Sequence, residues 1–308
     1  MRGIAYDRFG PADVLTLRED LPDPVRGPDA VVVNVRAAGV NPVDYKVREG
    51  YLQTIFPHWF PIVPGWDVAG EVASVGPAVT EFVPGQRVLA YARMDHIGHG
   101  TCAQQVAVPV RCLAPLPDGA DVVAAGGLPL AGLTADQMLD AARVGPGDTV
   151  LVHAAAGGVG HLAVQLAQAR GARVIGTASE RNHDFLLGLG AAPVTYGDGL
   201  DARVRELVPE QVTAVLDTVG GDALTSSFDL VADPSRVVSV VDARAVLGRG
   251  GRYVFVRPDA AGLARLAGML AAGALVVELD STYPLEATAD AHRRVETGRV
   301  RGKVVVTV

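Results

Sequence analysis

The run Thr149-Val150-Leu151-Val152-His153-Ala154-Ala155-Ala156-Gly157-Gly158-Val159-Gly160 passes from apolar residues into a cluster of alanine and glycine. Its apolar part is too short for a helix and stops at small residues, which predicts a buried strand. Beyond it, Val159, Leu162, Ala163, Leu166 and Ala167 recur at i, i+3, i+4, i+7 and i+8, one apolar face of a helix. Strand, tight small-residue turn and amphipathic helix, in that order, open a parallel βαβ unit.

Working outward, β-branched runs recur at 173–177 (RVIGT), 214–217 (AVLD), 237–241 (VVSVV) and 253–256 (YVFV), with helical spacing between several of them. Upstream, residues 128–142 suit a helix closed by Gly145-Pro146-Gly147. This alternation predicts a doubly wound parallel sheet. The first stretch of chain is different. Short Val-rich runs at 30–35, 68–75 and 87–90 are punctuated by Pro28-Asp29 and Pro84-Gly85, the texture of an antiparallel, partly barrel-like β domain. The end of the chain, with 274–279 (ALVVEL) and 303–308 (KVVVTV), returns to that texture. The expectation is an α/β protein in which residues 1–117 and 273–308 form a β-rich domain around a doubly wound domain at 118–272.

A chain of 308 residues with a 49% hydrophobic fraction can fill two cores. The net charge of −7 argues against a nucleic-acid partner, which would call for a basic face. No apolar stretch reaches the ~18 residues a bilayer span requires, and the N-terminus lacks a signal-peptide core, so a cytoplasmic protein with no membrane partner is expected. Cys102 and Cys112 stand ten residues apart without a CxxC, and read as two reduced thiols.

The turn after the first strand fits a GxGxxG fingerprint with Ala155 at the first glycine place, then Gly157 and Gly160, with Gly158 and Val159 between. Small residues there let the backbone approach a pyrophosphate, and the helix N-terminus offers it N–H groups and a positive dipole end. A site for NADH would normally carry Asp or Glu at the end of the second strand. Here that strand runs out as Gly176-Thr177-Ala178-Ser179-Glu180-Arg181-Asn182. Ser179 and Arg181 suit a 2′-phosphate, so NADPH is the expected cofactor. Glu180 could turn inward instead, and Arg181 could be an ordinary solvated charge.

Further signatures follow in order: Ala38-Gly39-Val40-Asn41-Pro42-Val43-Asp44, Pro64-Gly65-Trp66-Asp67-Val68-Ala69-Gly70, Pro129-Leu130-Ala131-Gly132-Leu133-Thr134-Ala135, Asp217-Thr218-Val219-Gly220-Gly221 and Arg301-Gly302-Lys303-Val304-Val305. With the 154–160 loop, this set resembles the medium-chain dehydrogenase/reductase superfamily, in particular its zinc-free quinone oxidoreductase branch. The resemblance implies a split GroES-like catalytic domain around a Rossmann domain, with the active site in a cleft between them. Zinc dehydrogenases of the superfamily carry Cys and His where this chain has Asn41 and Trp66, and the four-cysteine structural lobe has no counterpart, so no metal is expected. His96 and His99 near Cys102 invite a metal reading but lack a second nearby cysteine.

Without a metal, the expected acceptors are those that delocalise incoming charge themselves, quinones and α,β-unsaturated carbonyls. The resemblance points to Asn41 as an amide donor to the substrate oxygen and to Tyr51 as a pocket phenol, with Tyr45 as its competitor. Asp44 is a catalytic candidate that could instead shape the turn. Cofactor contacts are expected from Thr134, Tyr196, Val219, Val240, Phe255 and Val256. Lys303 would neutralise phosphate or simply flank the last strand. His153 reads as a satisfied strand-end histidine. A homodimer paired through the 253–256 edge is implied as well. An enoyl-thioester reductase and a non-catalytic NADPH-binding redox sensor are the alternatives.

Overall fold

The computed structural model describes residues 1–208 and 211–308. The chain forms two compact units, Met1–Leu133 with Pro258–Val308, and Thr134–Arg257. Residues 118–133 and 258–272, expected with the parallel sheet, group with the first unit.

The second unit is built on six parallel strands, in the order Ala192–Thr195, Arg173–Ala178, Thr149–Val152, Ala214–Asp217, Val237–Ser239, Arg252–Tyr253. The earliest strand of this sheet lies in its middle. The chain winds outward on one side, then returns to continue on the other, as in a Rossmann sheet. The reversal falls between Thr149–Val152 and Ala214–Asp217, where open α/β sheets hold ligands beyond their carboxyl strand ends. Both central strands are buried throughout, because parallel sheets covered on two faces select continuous apolar runs. Leu151, Ile175, Val194, Val215, Val237 and Val246 share one core cluster. Each such side chain contributes on the order of 1.5–3 kcal/mol through burial.

The helix predicted after the turn spans Gly160–Ala169 and buries Leu162, Ala163, Leu166 and Ala167. Val159, counted on its apolar face, is instead the N-cap. Two predicted strands are shorter than their β-branched runs. The 237–241 run pairs only as Val237–Ser239, and the 253–256 run only as Arg252–Tyr253. Val254 N still reaches Ser239 O at 3.0 Å, at the end of the neighbouring strand.

In the first unit a seven-stranded sheet runs Leu279–Pro284, Lys303–Thr307, Ala30–Val40, Asp67–Val75, Arg87–Tyr91, Leu113–Pro115, and Gln105–Pro109 also pairs with Ala30–Val40. Most of its pairings are antiparallel, the exception being Leu279–Pro284 with Lys303–Thr307. The close approach of Asp67–Val75 to Ala30–Val40 requires Gly70, since a Cβ there would lie 2.0 Å from Asn34 O. The expected strand at 274–279 is displaced to Leu279–Pro284. Leu275 and Val277 are buried, yet Ala274 N and Leu275 N both donate to Met269 O and close the end of helix Ala260–Ala271. Their apolarity reflects packing under a helix end. Among the described residues no helix is long and apolar enough to cross a membrane.

Candidate active site

The second unit presents its loop at the switch point. Ala154 leaves the first strand with φ +49°, a conformation seldom taken by a residue with a Cβ. Two bonds to the neighbouring strand hold it there: Ala154 N donates to Thr177 Oγ1 at 3.0 Å, and Ala155 N to Thr177 O at 2.9 Å. Gly157 N then closes back on Ala154 O at 2.9 Å. Gly160 is required by this fold-back, because a Cβ would sit 2.3 Å from Ala154 O and 2.7 Å from Ala155 Cα. The N–H groups of Gly158 and Val159 find no acceptor among the described residues and stand at the helix N-terminus, an anion-binding arrangement.

Beneath the loop, His153 is buried with Nε2 2.8 Å from Ser227 Oγ and Nδ1 3.4 Å from Thr177 Oγ1. Ser227 Oγ donates to Ala223 O at 2.6 Å, so it accepts from His153 and fixes the Nε2–H tautomer. Burial pushes the His153 pKa down, and the ring stays neutral. It is a satisfied strand-end histidine, as its position suggested.

Along the strand ends, Ser179 is half-buried at the tip of Arg173–Ala178, followed by exposed Glu180 and Arg181. Tyr196, 59% exposed, follows Ala192–Thr195 in a loop held by Arg203, whose guanidinium bonds the carbonyls of Thr195, Tyr196, Gly197 and Asp198. Val219 and Phe255 are exposed, and Val240 and Val256 half-buried, after the strands ending at Asp217, Ser239 and Tyr253. Thr134 is buried in helix Pro129–Ala141.

The first unit gathers a buried polar cluster. Asn41 Nδ2 donates to Asp67 Oδ2 at 2.8 Å, while the Lys303 ammonium donates to Asn41 Oδ1 and stands 3.9 Å from Asp67. Asp67 Oδ1 accepts from Leu130 N at 2.7 Å, and Asp44 Oδ2 accepts from Asn41 N at 2.7 Å. All four side chains are essentially inaccessible to water. Burial raises Asp44 to about 7 and Asp67 to about 6; the Asn41 N–H opposes the first, the Lys303 ammonium the second. Burial also pushes Lys303 downward, against the attraction of both carboxyls. Two carboxyls around one ammonium reach neutrality when the cluster keeps one proton.

The arrangement gives the site candidates distinct positions. Asp44 caps the start of helix Pro42–Arg48 and joins the cluster, and Asn41 has its amide oxygen and one amide hydrogen engaged. Lys303, considered for a phosphate, spends its ammonium on Asn41, Val40 O and Asp67 within its own unit. Tyr51 stands apart from these contacts, 71% exposed. Trp66 is buried, edge-on to Phe56 and Tyr91. Asp67 belongs to this cluster although motif reading gave it no role. The signal available was a carboxylate bordering an otherwise apolar strand.

Sequence comparison assigns both parts. Residues 27–118 match the alcohol dehydrogenase GroES-like domain, and residues 189–306 the zinc-binding dehydrogenase domain. The NADPH-dependent alkenal/one oxidoreductase of Arabidopsis thaliana is 34% identical, over 99% of this chain and 79% of that protein. The quinone oxidoreductase structure from Coxiella burnetii superposes with a TM-score of 0.90 at 34% identity, covering 100% of this chain and 99% of that one. The chain belongs to the medium-chain dehydrogenase/reductase superfamily, in its quinone oxidoreductase branch. A structure described as an NAD-dependent alcohol dehydrogenase is also similar, with a TM-score of 0.89 at 32% identity and full coverage of both chains. Members of this superfamily bind a nicotinamide cofactor, and this chain is an oxidoreductase.

Proposed function

We propose that this medium-chain reductase is a zinc-independent, NADPH-dependent enzyme that passes hydride to a quinone or an α,β-unsaturated carbonyl. The observation that carries the reading is the Lys303–Asn41–Asp67 set. Zinc sites are assembled from thiolate, imidazole and carboxylate, with at least three protein ligands. Here the two relevant positions hold an amide and an indole, and an ammonium already sits beside the carboxylate. Among the described residues no three His, Cys, Asp or Glu side chains group as a metal site. These side chains do not fit a zinc ion.

When bound, the reduced nicotinamide supplies a hydride from C4; with one proton it converts a quinone to the hydroquinone or an enone to the saturated carbonyl, leaving NADP⁺. Acceptors of this kind spread the arriving negative charge over their own conjugated system, which lowers the demand for a Lewis acid. Asn41 keeps one amide hydrogen for the acceptor oxygen, its plane fixed by Asp67 and Lys303. Tyr51, with an exposed phenol, is the candidate proton donor. Gly157, Gly158, Val159 and Gly160 fit a pyrophosphate at the helix N-terminus. The preference for NADPH rests on Ser179 and Arg181 at a strand tip without an inward acid, and the alkenal/one relative's name agrees.

The test is NADPH oxidation by EDTA-dialysed protein with 1,4-benzoquinone, 3-buten-2-one and crotonyl-CoA. Turnover with the first two, unchanged by added zinc, is expected. Activity only after zinc is restored would overturn the metal-free reading. Crotonyl-CoA as the sole acceptor would make it an enoyl-thioester reductase, and binding without turnover a sensor. Arg181→Ala should weaken NADPH about tenfold or more and leave NADH nearly unchanged, as loss of a charge-assisted phosphate contact implies; equal effects would remove Arg181 from the phosphate site. We further propose a homodimer joined at the Arg252–Tyr253 edge of the parallel sheet. Sedimentation should give twice the 31.9 kDa chain mass, and a monomer would refute it.

A further inference from the structure

Asp217 closes the strand Ala214–Asp217 on one side of the switch point, and its carboxylate is fully buried. Oδ1 accepts two backbone hydrogens from the loop that follows, Val219 N at 3.0 Å and Gly220 N at 2.9 Å. Oδ2 accepts from Ser239 Oγ at 2.6 Å, at the end of the adjacent strand Val237–Ser239. Ser239 Oγ in turn accepts Val241 N at 3.1 Å and Asp242 N at 3.4 Å, in the loop after its own strand. Asp217 O also takes Val240 N at 3.2 Å. One carboxylate and one hydroxyl thus hold two consecutive strand-end loops, while the side chains of Val219 and Val241 stay exposed. A neighbouring bond, Thr218 Oγ1 to His153 O at 3.0 Å, ties the same loop to the strand that leads into the phosphate turn.

These two loops lie on the half of the sheet away from the strand tip carrying Ser179 and Arg181. In a dinucleotide fold the adenosine ribose is read at the second strand and the pyrophosphate crosses at the switch, so the other nucleotide extends over these loops. We propose that Asp217, acting through Ser239, is the positioning residue for the nicotinamide half of the dinucleotide. It touches no reacting atom. A buried carboxylate with three hydrogen-bonding partners, Val219 N, Gly220 N and Ser239 Oγ, holds the loop backbones at fixed heights, and hydride transfer is sensitive to displacements of about 1 Å.

This inference rests on the NADPH reading above, and the experiment separates the two. Ser239→Ala removes only the hydroxyl bridge; Asp217→Asn keeps an acceptor for the loop N–H groups but loses the second carboxylate oxygen. Each variant is titrated with 2′,5′-ADP, which reports the adenosine half alone, and with NADPH, whose emission reports the nicotinamide half. Each is then assayed with 1,4-benzoquinone. The expected outcome is a kcat lower by about 10- to 100-fold with altered bound-NADPH emission, and a 2′,5′-ADP affinity within about twofold of wild type. Should Asp217→Asn fail to fold, Ser239→Ala carries the test. Wild-type kcat in Ser239→Ala overturns the proposal, as does a parallel loss of both ligands, which would mark a merely structural role. If wild-type protein binds neither ligand, the NADPH reading itself falls, and this one with it.

Discussion

Lys303 is held where an ammonium is costly, nearly sealed from water 3.9 Å from Asp67 and bonded to Asn41. A buried ion of this kind persists because its partners are already in place, and removing one partner strands the other. Lys303→Met should therefore destabilise the chain by about 3–5 kcal/mol in urea unfolding, and adding Asp67→Leu should recover part of that loss. Additive effects would mean that the pair is uncoupled. Asp44 gives a pH signature of its own. Its folded pKa is raised from 3.8 to about 7, so the native state binds the extra proton between those values. Stability of wild type relative to Asp44→Asn should thus fall as pH rises from about 4 to 7 and level off above. A relative stability that climbed over that window would show that the carboxyl is charged and well paired.

At the level of elements, the phosphate turn depends on one contact distance. The Cβ added by Gly160→Ala would meet backbone atoms that cannot swing away. Dinucleotide affinity should drop by at least about tenfold in a direct titration, whereas Gly248→Ala, with open space around it, should cost little. Comparable affinities would mean that the turn tolerates a methyl group. The strand leading into the turn, Thr149–Val152, is anchored at its start by Asp148, which accepts two bonds from Arg236 and is held at about 2 by that guanidinium. Its stabilisation is complete above the unfolded value of 3.8 and is lost as pH falls toward 2, so the penalty of Asp148→Asn should fade over that interval. Much of this architecture was legible in the chain, because buried parallel strands leave continuous apolar runs such as 149–152 and the turn needs small residues at fixed places. Strand ends were not: Val240, Val241 and Phe255 are as β-prone as the residues before them, and it is a side chain, the Ser239 hydroxyl taking Val241 N, that turns the backbone away after Val237–Ser239. The polar clusters were hidden for a related reason. Asn41, Asp67 and Lys303 lie far apart in sequence and meet only once the sheet of the first unit has formed.

For the molecule as a whole, the charge of −7 sets an electrostatic condition on its ligand. A dinucleotide phosphate is itself strongly anionic, so the proposed binding mode relies on local positive features, the helix N-terminus at Gly160 and the guanidinium of Arg181, against an unfavourable average field. Such short-range contacts are screened by salt when exposed, with a Debye length of about 8 Å at physiological ionic strength. The added 2′-phosphate should therefore confer a margin that shrinks as salt rises. The most direct measurement is a fluorescence titration of the purified protein with NADPH and with NADH at low and at moderate salt. The account predicts saturable binding of NADPH at least about tenfold tighter than NADH, with the gap narrowing in salt. Absence of saturable binding by either coenzyme, or an equal affinity for both at every salt concentration, would contradict it.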